Sequence, residues 1–361
     1  MYSTTTVAPG SAHAGSLASD TTNEASPAAK PTAAPGGGST AATGAAGGDI
    51  AYQLIGRLPN PKERESVLAE LSRRREDHPD LAVVLWNSCG TSAILVQEIV
   101  AAYAWLHPPL LTMTASNRIC NALALLQLVA THAETRARFL RSSIPQLLYP
   151  LLATTHKSRP FDNLRLTSLG VIGAIVKHDS PEVVQYLIQT EFIPLCLKIL
   201  EIGTELCKIV AIFVFQRIIN DPTGLTYMVD HPTRLLTMLA VLAVIIEQLL
   251  KFKSPRLLKS VIRLYIRLAE HPDVLTYLRE NLPTELRDAT FLSMLEEEPS
   301  AKKSLVQLLT KLYGSEVATV ATTTGLSNVN LANPHHQHLH QQQQQQLHQQ
   351  ALQPPPGITT A

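Results

Sequence analysis

Between Asn117 and Glu201 one pattern of apolar and polar positions occurs twice. From Ala122 an apolar helical run leads to a polar break at His132, a short helix, and an Ile-Pro step into further apolar residues ending at Leu152. From Leu169 the same order returns, with its break at His178, 46 residues later, and its Ile-Pro step leading to Leu200. A unit of this size cannot bury its apolar faces alone, so successive units must stack. The break itself appears five times, as EDHPDL (His78), THAETR (His132), KHDSPE (His178), NDPTGL (Asp221) and EHPDVL (His271), at intervals of 54, 46, 43 and 50 residues. Those intervals bracket armadillo or HEAT units of about 40–47 residues. The pattern predicts an all-α, armadillo-like helical repeat solenoid whose function lies on a surface.

The periodic part is bounded on both sides. Residues 1–48 are mostly Ala, Thr, Ser, Gly and Pro, with hardly a large apolar side chain; such a segment cannot offset the entropy of ordering and reads as a disordered tail. The repeat domain is expected over 49–314, with Pro61 at a helix start and Ser116 or Asn117 capping the helix that follows the Pro108-Pro109 turn. Residues 315–361, with His335, His336, His338, His340, six Gln from Gln341 and three Pro, read as a second disordered tail. Within the domain, Gly170 and Gly173 share one helix, where each costs about 1 kcal/mol relative to Ala. Either a neighbouring helix packs tightly there or a shallow groove accepts a partner. Leu235–Leu250 is the longest apolar stretch, but Thr237, Glu247 and Gln248 interrupt it. It reads as a buried helix of a protein with no membrane role. Arg256, Lys259, Arg263 and Arg267 advance by 3, 4 and 4 residues and form one helical stripe. That stripe is either a solvated face or a surface for a polyanion or an acidic peptide. NLPTELRDATFLSMLEEE is read as one further helix, and PSAKKSLVQLLTKLY as a terminal cap.

Composition and charge narrow the chemistry. Aromatic residues make up only 5%, which suits thin helical layers. The net charge of +1 excludes nothing, but 29 of the 30 Lys and Arg lie between Arg57 and Lys311. Cys89, Cys120, Cys196 and Cys207 show no CxxC spacing, and three of them sit within apolar helical patterns. No basic n-region and apolar h-region open the chain, so a soluble intracellular protein is expected. The histidines of the breaks, one per repeat, are too far apart to share a metal ion and have a backbone reason to stand beside Pro. No metal site, cofactor, catalytic residue or phosphate-binding glycine loop is expected. A scaffold or adaptor leads the readings, ahead of a nucleic-acid-binding solenoid or transcriptional cofactor, and of an enzyme.

The blocks SNRICNALALLQLVATHAETR, RPFDNLRLTSLGVIGAIVK, IPLCLKILEIGTELCKIVA and SPRLLKSVIRLYIRL resemble one family over about Ile50–Tyr313. It is the Rcd-one (required for cell differentiation) family, or Caf-forty subunit of the Ccr–Not mRNA deadenylase complex. The resemblance implies six armadillo-like repeats and a non-catalytic adaptor. It also implies docking on the Not-one scaffold, recruitment of RNA-binding and silencing proteins through short motifs, and mRNA deadenylation, decay and translational repression in cytoplasm, P-bodies and nucleus. The family's groove for a partner helix matches Gly170 and Val210, with Lys208 beside them and Asn163 at a position that is aromatic in the family. Its basic cleft matches Arg256 and extends along Lys259, Arg263 and Arg267. Its tryptophan pocket survives here as Arg234, in Pro232-Thr233-Arg234. Weak nucleic-acid binding and homodimerisation stay open.

Overall fold

The computed structural model describes residues 42–288 and 290–314, with side chains from Ile50 onward. All its regular elements are helices, grouped into six units. The first unit holds α1 (Ala42–Arg57) and α2 (Arg64–Arg73). The second holds α3 (Leu81–Asn87), α4 (Thr91–Ala101) and α5 (Met113–Thr131); the third α6 (Ala133–Arg141), α7 (Tyr149–Leu152) and α8 (Arg159–Val176). In the fourth are α9 (Pro181–Gln189), α10 (Phe192–Ile202) and α11 (Glu205–Asn220), and in the fifth α12 (Pro222–Val229), α13 (Pro232–Leu249) and α14 (Pro255–Leu268). The sixth closes with α15 (Pro272–Asn281), α16 (Leu292–Glu297) and α17 (Pro299–Tyr313).

Each of the five break motifs falls where the last helix of one unit hands over to the first helix of the next. The reason is local. Asp221 leaves α11 in an extended conformation and its carboxylate accepts the Thr223 amide at 2.8 Å, starting α12. His132 does the same with the Glu134 amide at 3.3 Å, starting α6. Proline in the first turn of α9, α12, α13, α14, α15 and α17 has no amide hydrogen to leave unpaired there.

Stacking follows the units. Last helices α2, α5, α8, α11, α14 and α17 pack in series, forming a ladder, while α7, α10 and α13 form a second row. A continuous apolar core runs from Ala51 to Leu312. At its start, the buried Glu98 carboxylate of α4 accepts from Arg64 of α2 at 3.2 Å and Arg118 of α5 at 2.6 Å, fixing three helices together. Helix α13 is long and apolar enough to cross a membrane by length and composition. Here it buries Met238, Leu242, Ile245, Ile246 and Leu249 among its neighbours.

Several expectations are corrected. Helix α1 begins at Ala42, inside the tail assigned to 1–48, because its Ala-rich start continues the helix of the apolar residues behind it. The remaining tail assignments, including the His and Gln runs, lie outside the described residues. Thr112, not Ser116 or Asn117, caps α5, accepting the Ala115 amide at 3.2 Å. Ser116 is buried within α5 and donates to the Pro160 carbonyl at 2.8 Å. Pro61 lies in a turn three residues before α2. The stretch 281–298 is not one helix: Pro283 breaks it into a 3-10 turn (Thr284–Leu286) and the short α16.

Candidate functional site: the last-helix ladder from α8 to α14

Helix α8 is set by its entry. The buried Arg165 guanidinium donates to the carbonyls of Thr154 and His156, both at 3.0 Å, and pairs with Asp162, so the incoming loop is held against the first turns of α8. Beyond that clamp the outward residues of α8 are Asn163, Leu166, Thr167 and Gly170, all half-buried. Asn163 points to α5, its amide 3.9 Å from the Met113 sulfur. Gly170 is also turned toward α5: a Cβ there would stand 3.3 Å from the exposed, flexible Gln127 side chain. Gly173 is different. It is buried at the seam with α11, where a Cβ would meet Val210 Cγ1 at 3.6 Å. Both glycines thus admit a neighbour closely: Gly173 admits Val210 of α11, and Gly170, one turn away, admits Gln127 of α5.

The outward face of α11 carries Leu206, which is 53% exposed, followed by half-buried Val210 and Phe213. Their spacing of 4 and 3 residues puts them on one stripe. The stripe ends at Arg217, whose guanidinium lies 5.5 Å from the Phe213 ring centroid and pairs with Asp179 at 2.7 Å. Val210 is thus seated against Gly173, one turn along α8 from Gly170, and Leu206 and Phe213 share its stripe on α11. The sequence hides these two because α11 is apolar nearly all round, and no polar side marks which residues face out.

Lys208 is corrected. It lies two residues from Val210, about 200° round the helix, and is buried at 3% exposure. Its ammonium donates to the Glu201 carbonyl at the end of α10, at 3.1 Å, and to the Gln248 amide oxygen of α13. Burial pulls its pKa below the usual lysine value. Lys208 joins the second row of helices to α11 from behind the groove.

The basic stripe of α14 also divides. Lys259 pairs with Glu298 at 3.3 Å, and Glu298 is held below the usual carboxylate range by Ser300 and Lys259. Arg267 donates to the Ile219 and Asn220 carbonyls at 2.9 Å each, closing the C-terminus of α11, and pairs with Glu270. Arg256 and Arg263 are exposed, with no carboxylate within ion-pair distance among the described residues. No acid interleaves the stripe in sequence, but folding brings Glu270 and Glu298, both outside α14, to it.

Arg234 lies far from this face, at the start of α13. Its guanidinium stacks 3.9 Å from the Tyr227 ring centroid and donates to the Tyr227 carbonyl at 2.6 Å. The aromatic partner comes from α12, where nothing in the sequence tied it to Arg234. Of the cysteines, Cys196 and Cys207 are buried and their thiols are pushed up by burial, Cys120 is half-buried, and Cys89 is exposed.

Comparison with known proteins places this arrangement. Among solved structures, the designed armadillo repeat protein YIII(Dq)4CqI matches 72% of this chain and 98% of its own, with a TM-score of 0.50 and 18% identity. Computationally designed armadillo repeat proteins for modular peptide recognition match equally, with a TM-score of 0.50 and 17% identity. These establish the armadillo fold alone. Cell differentiation protein rcd1 of Schizosaccharomyces pombe is 50% identical over 75% of this chain and 95% of its own length. Protein CAF40 of Saccharomyces cerevisiae is 45% identical over 72% of this chain and 70% of its own. The model of the cell differentiation family, Rcd1-like, matches residues 54–312, which are the stacked helices from within α1 to the end of α17. The chain belongs to the Rcd1-like cell differentiation family.

Proposed function

We propose that the chain is the non-catalytic adaptor subunit of a Ccr–Not mRNA deadenylase complex. In this reading it docks on the Not-one scaffold and presents the α8–α11 ladder face to short helical motifs of RNA-binding or silencing proteins. Recruitment in this way promotes deadenylation, decay and translational repression of the bound mRNAs, in cytoplasm, P-bodies and nucleus. The observation that carries the reading is the apolar stripe of exposed Leu206 and half-buried Val210 and Phe213 along the outward face of α11. An amphipathic helix laid on such a strip gains about 1.5–3 kcal/mol for each large apolar side chain it buries. Leu206, Val210 and Phe213 lie on consecutive turns, which matches the i, i+4, i+7 anchors of a partner helix.

Affinity purification of the tagged full chain, followed by mass spectrometry, tests the reading. Recovery of a large helical scaffold together with deadenylase subunits is the expected result. Recovery of nucleic acid without those subunits would instead support a free nucleic-acid-binding solenoid.

A further inference from the structure

The stripe on α11 has a charged neighbour, and the register between them is fixed. Gln216 Nε2 of α11 donates to the Ser260 carbonyl of α14 at 2.9 Å. One turn earlier on each helix stand Phe213 and Arg256, so Arg256 lies level with Phe213. One turn later, Arg263 lies level with the Arg217–Asn220 end of α11. Lys253 is exposed in the turn before α14. The apolar strip therefore has a basic border along its α14 side.

Within that border the cations differ in availability. Lys259 is paired with Glu298, and Arg267 is occupied by two carbonyls and Glu270. Arg256 and Arg263 remain, seven residues apart on one helix, a separation of about 10.5 Å along its axis, or two turns. A guanidinium offers a planar fork that matches a carboxylate.

We propose that the segment bound on this face is an acidic amphipathic helix. Its apolar side covers Leu206, Val210 and Phe213, and carboxylates two turns apart on its adjoining flank meet Arg256 and Arg263. The proposal rests on the reading of α8–α11 as a motif-docking face. A nucleic-acid backbone fits less well. Lys259 and Arg267 are already paired with Glu298 and Glu270, which leaves only two cations for a run of phosphates, and the apolar strip beside them offers a phosphate backbone nothing. An acidic helix uses both halves of the surface. The border fixes which flank of the ligand carries acid, and so which way round it lies.

The test is selection from a phage-displayed library of amphipathic helices, with flank positions randomised, on the full chain and on Arg256→Glu/Arg263→Glu and Val210→Glu variants. Far-UV circular dichroism checks that each is folded. The wild type is expected to enrich Asp and Glu two turns apart on one flank, and the charge-reversed variant to enrich Lys and Arg at those positions. For a selected acidic peptide, replacing its acids by amides is expected to cost about twofold to fivefold in affinity per lost pair, less at high salt. Helices selected equally by the wild type and the charge-reversed variant, but lost on Val210→Glu, would overturn the acidic flank and keep the docking face. No helix dependent on Val210 would overturn both. Fluorescence anisotropy with a uridine homopolymer completes the test: charge reversal that weakens RNA and leaves the peptides unchanged would assign the border to phosphates.

Discussion

Lys208 shows how much a single side chain's surroundings decide. A lysine in an amphipathic pattern reads as surface, and beside Val210 it reads as a groove residue. The structure buries it and gives it the Glu201 carbonyl and the Gln248 amide as partners. Removing it would leave the Gln248 amide oxygen without this donor and the Glu201 carbonyl with only the Gln248 amide at 3.4 Å, at a cost of about 1–3 kcal/mol. Lys208→Ala is therefore expected to lower the unfolding free energy measured in urea by that amount while leaving motif affinity unchanged for the folded fraction. Unchanged stability with weakened binding would return Lys208 to the groove. The sequence could not show this, because which carbonyls end up near an ammonium depends on how α10, α11 and α13 pack. The same holds for Arg234, whose partner Tyr227 is supplied by another helix, and for Lys259, whose partner Glu298 lies 39 residues away. By contrast, that Gly170 and Val210 stand on the apolar last helices of adjacent units, α8 and α11, follows from the helical period alone.

At the scale of the element, the junctions between units were the most legible feature. Pro, His and Asp at the breaks act on their own backbone, so five junctions between units could be placed before any packing was known. Second-position helices were less legible. The Ile144–Leu152 segment is a 3-10 turn leading into α7 rather than one helix, because Pro145 and Pro150 interrupt it. The break residues should contribute measurably to stability. Asp221 accepts the Thr223 amide at 2.8 Å, so Asp221→Ala is expected to cost about 0.5–2 kcal/mol in chemical denaturation, and Asp221→Asn much less. Equal losses for both would mean that the charge, and not the cap, is what matters there. Arg267 closes the other end of the same junction through the last carbonyls of α11. The unit boundary between α11 and α12 is thus held from both sides.

At the scale of the whole molecule, stacking converts six units that cannot fold alone into one core, with their last helices packed in series as a ladder. Its character changes along its length, from polar Asn117 and Gln127 on α5, through the apolar strip of α11, to the free arginines of α14. The architecture was legible because repetition multiplies a weak signal. The surface was legible only in part, because half-buried and buried apolar residues look alike in a sequence. In the proposed reading this surface, and not the core beneath it, recruits partners. Val210 is half-exposed, so a glutamate there can reach water in the free protein but must lose it under a docked helix. The most direct measurement is affinity purification of wild-type and Val210→Glu chains side by side, with thermal unfolding of both. The account predicts equal melting temperatures, equal recovery of the scaffold, and loss of the motif-bearing partners from the variant. Unchanged recovery of those partners, or a variant that unfolds, would contradict it.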